Sequence, residues 1–106
     1  MDITSLQDKA LDASRFLKAM SNKHRLLILC NLVETELSVG QLEKIVGLSQ
    51  SALSQHLARL RKEEVVQTRR DAQTIYYSLQ DENVVEVLQV LHGIFVGDAA
   101  KLAEVA

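Results

Sequence analysis

The chain has 106 residues, of which 47% are apolar and 25% charged, which is typical of one globular domain and excludes a disordered chain. No apolar run approaches the ~20 residues of a membrane span, and the start of the chain lacks the apolar segment of a secretory signal. The single cysteine, Cys30, excludes a disulfide within the chain. The net charge of −2 is unevenly distributed: residues 44–79 carry six Lys or Arg against three acidic residues, and residues 80–106 carry one against five. We therefore expect a single cytoplasmic domain, residues 1–106, with one basic region and no membrane partner.

Two helices are predicted in the first third of the chain. The first is indicated by apolar residues at alternating steps of four and three, namely Leu6, Ala10, Ala13, Leu17 and Met20. Asn22 is a typical N-cap for the second helix, which we expect to reach about Glu34. Residues 26–30 are apolar on every side of that helix, which is typical of a helix at the centre of a fold.

The next two helices form a predicted helix-turn-helix. Ser38 and Gln41 have the spacing of a capping box at the start of the third helix. Gly47 occupies the position where a helix commonly ends in a left-handed conformation. Ser49 then caps a fourth helix over about 50–63, whose buried face is supplied by Leu53, Leu57 and Leu60.

A β-hairpin and a last helix complete the predicted fold. The strands are expected over Val65–Arg70 and Thr74–Leu79, joined by a turn at 71–73. Asp81 can cap the last helix, whose apolar positions are Val84, Val87, Leu88, Leu91, Ile94 and Phe95. The pattern predicts a mainly α fold with a small β-hairpin, in the order of four helices, two strands and a fifth helix, which is a winged helix-turn-helix.

The first and last helices carry wider apolar faces than a core of this size needs. We expect these faces to meet in a homodimer with two-fold symmetry. The alternative is that both helices only cover the central helix of their own subunit. The predicted dimer-interface residues are Leu6, Ala10, Ala13, Leu17, Leu88, Leu91 and Phe95.

The fourth helix has a small polar face opposite its leucines. Gln50 and Gln55 are suited to adenine edges in a DNA major groove, and Ser51 and Ser54 to bases or phosphates. Serine and alanine keep that face thin enough to enter the groove. These four residues are therefore predicted to read bases, the alternative being an ordinary solvated helix face.

Basic and polar residues around this helix and the hairpin are suited to the DNA backbone. An arginine at a hairpin tip can also enter the minor groove, although alternate strand residues can equally be solvated charges. For His56, a packing or capping role is the alternative to a phosphate contact. The predicted backbone and wing residues are Ser49, His56, Arg59, Arg61, Lys62, Arg69, Arg70, Gln73, Thr74 and Tyr76.

Four segments of the chain together resemble the ArsR/SmtB family of winged helix-turn-helix transcriptional repressors. They are residues 19–26, residues 36–42, the serine–glutamine helix within 48–60, and the arginine wing ending in a double tyrosine at 69–79. The resemblance is strongest to the metal-independent branch that contains HlyU, BigR and NolR. It implies a homodimer built from the first and last helices that binds an imperfect inverted repeat in promoter DNA as a regulator, most simply a repressor.

The resemblance also lets the family's metal and thiol sites be compared with this chain. Where one class of members has cysteine ligands, this chain has Ser38 and Gly40. Of the ligands that another class places in the last helix, Asp81 alone is present, the other positions being Asn83, Ile94 and Gly97. We therefore expect no metal and no cofactor.

Cys30 matches one member of the thiol pair used in the HlyU/BigR branch, and its partner position is Val96. Cys30 is thus a candidate thiol sensor, the alternative being a small buried hydrophobe. Two further alternatives concern the whole chain. A winged-helix module that binds a protein and not specific DNA is favoured slightly by the acidic net charge. An enzyme is not expected, because the sequence shows no nucleophile–base pair or glycine-rich phosphate loop.

Overall fold

The computed structural model describes residues 1–97. Its elements, in chain order, are α1 (Ile3–Asp8), α2 (Ala10–Met20), α3 (Lys23–Asn31), β1 (Leu37–Ser38), α4 (Val39–Val46), α5 (Gln50–Lys62), β2 (Val66–Asp71), β3 (Thr74–Leu79) and α6 (Asn83–Phe95). The three strands form an antiparallel sheet in the order β1-β3-β2. The winged helix-turn-helix predicted from the sequence is confirmed, with one more helix and one more strand than expected. Within residues 1–97, no helix is long and apolar enough to cross a membrane.

The predicted first helix is two helices, because Lys9 leaves the helical conformation between α1 and α2. Nothing in the sequence marks this break, which contains neither proline nor glycine. None of the residues of α1 is buried, so no packing holds it in line with α2. The stripe of apolar residues is therefore divided between two short elements.

The predicted second helix was too long, since α3 ends at Asn31 and not near Glu34. Leaving the helix there lets Leu37 and Ser38 pair with Tyr77 and Tyr76 of β3. This two-residue strand was not predicted, because it is shorter than any pattern that alternation of apolar and polar residues can reveal. It ties the segment before α4 to the wing.

The expectation that α3 is buried on every side was also wrong. Ile28 and Leu29 are fully buried, but Leu27 and Cys30 are exposed. Helix α3 packs against α2, α4 and α5, and these contacts leave part of its surface uncovered. The rest of the core comes from every helix except α1, together with the sheet, and its fully buried members include Leu42, Leu53, Leu57, Leu60, Val65, Val66 and Val84.

The predicted caps at Asn22, Ser38 and Gly47 are confirmed. Asn22 Oδ1 accepts from the backbone N–H of His24 at 2.9 Å, and Ser38 and Gln41 form the reciprocal capping box. Gly47 ends α4 with a φ of 71°. Asp81 was predicted to cap α6, but Glu82 is the N-cap residue and forms no side-chain cap hydrogen bond. Asp81 Oδ1, one position earlier, accepts from the backbone N–H of Asn83 at 2.9 Å.

The hairpin of β2 and β3 closes through a two-residue turn. Its register runs from Val66 opposite Leu79 to Asp71 opposite Thr74, so Asp71 lies in the strand and not in the turn as predicted. Ala72, the first residue of the turn, has a φ of 55°, in the left-handed region that favours glycine. The hairpin forms the wing, meaning residues 66–79.

Candidate nucleic-acid interface

Helix α5 presents two different faces. Leu53, Leu57 and Leu60 are at most 2% exposed and fix the helix to the core. Ser49 Oγ caps its start by accepting from the backbone N–H of Ala52 at 3.2 Å. The opposite face carries the four predicted base-reading residues, and all of them are exposed: Gln50, Ser51, Ser54 and Gln55.

These four side chains form no hydrogen bond with any other part of residues 1–97, in contrast to the capping side chain of Ser49. Each amide or hydroxyl group therefore keeps its donors and acceptors available to a ligand. They lie in the first half of the helix, where a recognition helix contacts base edges. The arrangement fits entry of α5, which we term the recognition helix, into a major groove.

The last turn of the recognition helix is basic. Arg59, Arg61 and Lys62 are all exposed, and none of them forms an ion pair within the described part of the chain. Cations at this end also complement the negative end of the helix dipole. Their charges are free to neutralise phosphates beside the groove.

His56 lies on the recognition helix but is partly buried and has an internal partner. Arg25 Nη1 is 3.4 Å from His56 Nδ1, and the ring of His24 is 5.7 Å from that of His56. An arginine can only donate, so His56 Nδ1 accepts and its proton lies on Nε2. Burial lowers the pKa of His56, and the charges of Arg25 and His24 lower it further.

The guanidinium of Arg25 also binds the end of α2. Its Nε donates to the carbonyl of Ala19 at 2.7 Å, and its Nη2 donates to that of Lys18 at 3.2 Å. These carbonyls belong to the last turn of α2, where acceptors lack the usual intrahelical partners, although the Lys18 carbonyl also accepts from the backbone N–H of Ser21. Arg25 was not predicted to be part of the site, because no local pattern in the sequence shows that it meets a residue 31 positions later.

In the wing, Arg69 is held by the protein itself. Its Nε donates to Glu36 Oε2 at 3.2 Å, its Nη2 pairs with Glu36 Oε1, and its guanidinium lies 4.6 Å from the ring centre of Tyr76. The hydrogen bond from Arg69 holds the pKa of Glu36 below its ordinary value. Glu36, just before β1, was not predicted, and the missed strand β1 is what brings it beside the wing.

Arg70 projects from the opposite face of the hairpin, because neighbouring residues of a strand alternate. It is exposed and forms no ion pair within residues 1–97. Gln73 and Thr74 are exposed near the tip, and Tyr76 is partly buried. Of the two arginines of the wing, Arg69 is therefore paired within the protein, and Arg70 is available to a ligand.

The helices predicted to dimerise leave apolar surface uncovered. Leu6, Leu17 and Phe95 are 50%, 57% and 80% exposed, Ala10 is exposed, and three further members of the set are partly buried: Ala13, Leu88 and Leu91. An open groove of about 720 Å³ lies between α3 and α6, with Cys30, Leu88 and Phe95 in its lining.

The exposure of Cys30 in this groove corrects its description as a small buried hydrophobe. Cys30 lines this groove together with residues of α6. Within residues 1–97, no three potential metal-binding side chains converge.

The family model of bacterial regulatory proteins of the arsR family matches residues 22–68, which include the helix-turn-helix. The nodulation protein NolR of Rhizobium meliloti is 53% identical over 92 residues, covering 87% of this chain and 75% of NolR. The transcriptional activator HlyU of Vibrio cholerae is 45% identical over 95 residues, covering 90% of this chain and 88% of HlyU.

Among solved structures, the transcriptional repressor BigR from Xylella fastidiosa superposes with a TM-score of 0.86 at 37% identity, covering 90% of this chain and 97% of that one. These similarities extend over nearly the whole described chain. They agree with the polar recognition helix and the basic wing. The chain therefore belongs to the arsR family of bacterial regulatory proteins and is a winged helix-turn-helix DNA-binding transcriptional regulator.

Proposed function

We propose that this protein binds an inverted-repeat operator in promoter DNA as a homodimer and represses transcription there. The observation that carries this proposal is the recognition helix, which buries three leucines and offers Gln50, Ser51, Ser54 and Gln55, exposed and free of internal hydrogen bonds, to a ligand. Since the partner is chromosomal DNA, the proposed compartment is the cytoplasm, and we assign the chain no catalytic role.

Backbone contacts come from the cations around this helix and at the wing. Arg59, Arg61, Lys62 and Arg70 are exposed and unpaired within residues 1–97. Neutralising phosphates releases counterions, so log affinity falls linearly with log salt concentration. The acidic net charge does not oppose this, because the acidic excess lies in residues 80–106.

Repression is the simplest outcome of a dimer that covers promoter DNA. The relatives include regulators of both kinds, since BigR is named a repressor and HlyU an activator. A reporter gene placed behind the bound promoter fragment distinguishes them: deletion of the regulator raises expression if it represses and lowers it if it activates.

The experiment that tests specific binding is selection from a random duplex library, followed by titration of the selected duplex and a shuffled duplex of the same length. Gln55→Ala should weaken binding to the selected duplex by roughly 1–3 kcal/mol and relax preference at one position of each half-site. Arg59→Ala should weaken both duplexes alike and reduce the salt slope by about one unit.

The proposal fails if no inverted repeat is enriched at moderate salt. The chain would then fit a winged-helix module that binds a protein partner. Equal losses by Gln55→Ala on the selected and shuffled duplexes would show that the recognition helix does not read bases.

A further inference from the structure

One side chain joins the end of α2 to the middle of the recognition helix. Arg25 donates to the carbonyls of Ala19 and Lys18 at 2.7 and 3.2 Å and reaches His56 Nδ1 at 3.4 Å. Its own backbone N–H is fixed by Asn22 Oδ1 at 3.1 Å. The guanidinium, which projects from α3, is therefore bonded both to the end of α2 and to His56 of α5, and its planar fork supplies a separate N–H for each partner.

The two elements joined in this way have different tasks under the proposed function. Helix α2 carries the exposed Leu17, which belongs to the apolar surface assigned to the dimer. The recognition helix carries Gln55, directly before His56. In a symmetric dimer, the distance between the two recognition helices depends on how firmly each is fixed to its own α2.

We propose that Arg25 is a positioning residue for operator reading: through His56 it fixes the recognition helix to the dimerisation helix α2, and so sets the spacing at which the dimer reads two half-sites. This inference rests on the proposed function, because it requires a dimer that reads an inverted repeat. Arg25 does not itself contact DNA in this scheme. His56 acts inside the protein as the acceptor of the link.

The two nitrogens of His56 allow a direct test with a matched pair of variants. In His56→Asn, the amide oxygen takes the place of Nδ1 and can still accept from Arg25, but it does not titrate. In His56→Gln, the amide lies near the position of Nε2, so an outward donor remains and the internal acceptor is lost. Arg25→Lys keeps the positive charge but cannot bind both carbonyls and His56 at once.

The measurement is the ratio of affinities for the duplex selected above and for the shuffled duplex. We expect His56→Asn to keep the wild-type ratio within about twofold, and His56→Gln and Arg25→Lys each to lower it about tenfold, as for loss of a hydrogen bond to a charged group. The double variant His56→Gln/Arg25→Lys should be no worse than either single variant, because both break the same link. Thermal unfolding of each variant shows that the protein is folded during the titration.

A pH series provides a second readout. The groups facing His56 are Arg25 and His24 of α3, and Arg59 of α5 faces Arg25. Protonation of Nδ1 removes the acceptor. The wild-type affinity ratio should therefore fall at a pH below about 6.5, the ordinary pKa of histidine, because the pKa of His56 lies lower than that value. The ratio for His56→Asn should not follow that decline.

The opposite pattern overturns the inference. If His56→Gln keeps the ratio and His56→Asn loses it, His56 acts through its outer Nε2–H on a phosphate and the link to Arg25 has no role. Loss in both His56 variants would assign the effect to the imidazole ring, and loss in neither would show that the link does not position the helix. Failure of the proposed function is distinguishable, since in that case the wild type itself prefers no duplex.

Discussion

Phe95→Ala tests whether the uncovered surface of α6 is a dimer interface. Phe95 is 80% exposed in the single chain. A phenylalanine side chain can bury roughly 150–250 Å², so covering its exposed part is worth about 3 kcal/mol at ~25 cal/mol per Å². Alanine retains about a third of that, which leaves a loss of about 2 kcal/mol per protomer. Because a two-fold interface contains the residue twice, we expect dimerisation to weaken by about 4 kcal/mol, or about a thousandfold.

Sedimentation equilibrium over a range of protein concentrations measures this change directly. Ile45→Ala is the matched control, because Ile45 is also apolar and 46% exposed but lies on α4. It should leave the dimer constant unchanged. If Phe95→Ala dimerises as tightly as the wild type and the Ile45→Ala control, the assignment of α6 to the interface is wrong. A wild type that stays monomeric at all concentrations would refute the dimer itself.

Two further predictions concern the elements on either side of the recognition helix. Gly47→Ala should lower the free energy of unfolding by about 1 kcal/mol in urea titrations, because a side chain at a φ of 71° is strained even though its Cβ would contact no other atom. Gly47→Asn should lose less stability, because asparagine tolerates this conformation better. Equal stability of all three proteins would contradict the strain argument. Glu36→Gln should release Arg69 from its ion pair and remove a negative charge beside the wing. The affinity for shuffled DNA should therefore rise, and the salt slope should steepen by about one unit. An unchanged slope would show that Arg69 does not contact phosphates even without Glu36.

Local chemistry in the sequence predicted most of the fold. The caps at Asn22, Ser38 and Ser49 and the turn at Gly47 are short-range signals, and all four have the predicted role. The leucines of the recognition helix were placed correctly because their spacing alone selects one face. Helix α3 shows the limit of predicting burial from such local signals, because an apolar run cannot indicate which sides of the helix have neighbours. Cys30 proved to be exposed.

The contacts that organise the candidate site could not be predicted in the same way. Arg25 meets His56 at a separation of 31 residues, and Glu36 meets Arg69 at a separation of 33. Both pairs depend on how whole elements pack, and neither residue type is unusual at its position in the sequence. Residue type and helix face sufficed to predict that the four proposed base-reading side chains are exposed. Which basic side chains are paired within the protein and which are not could be seen only in the folded chain.

The strand order of the sheet affects how separate molecules meet. β2 lies at one edge of the sheet and, within residues 1–97, has β3 as its one neighbour. An open strand edge is a template on which another chain can add, the first step of polymerisation. Here the outer half of that edge carries Arg69, Arg70 and Asp71 in succession, and two such strands paired in parallel and in register would bring like charges together. The arginines that suit the wing to a polyanion should therefore also keep the protein from assembling edge to edge at high concentration.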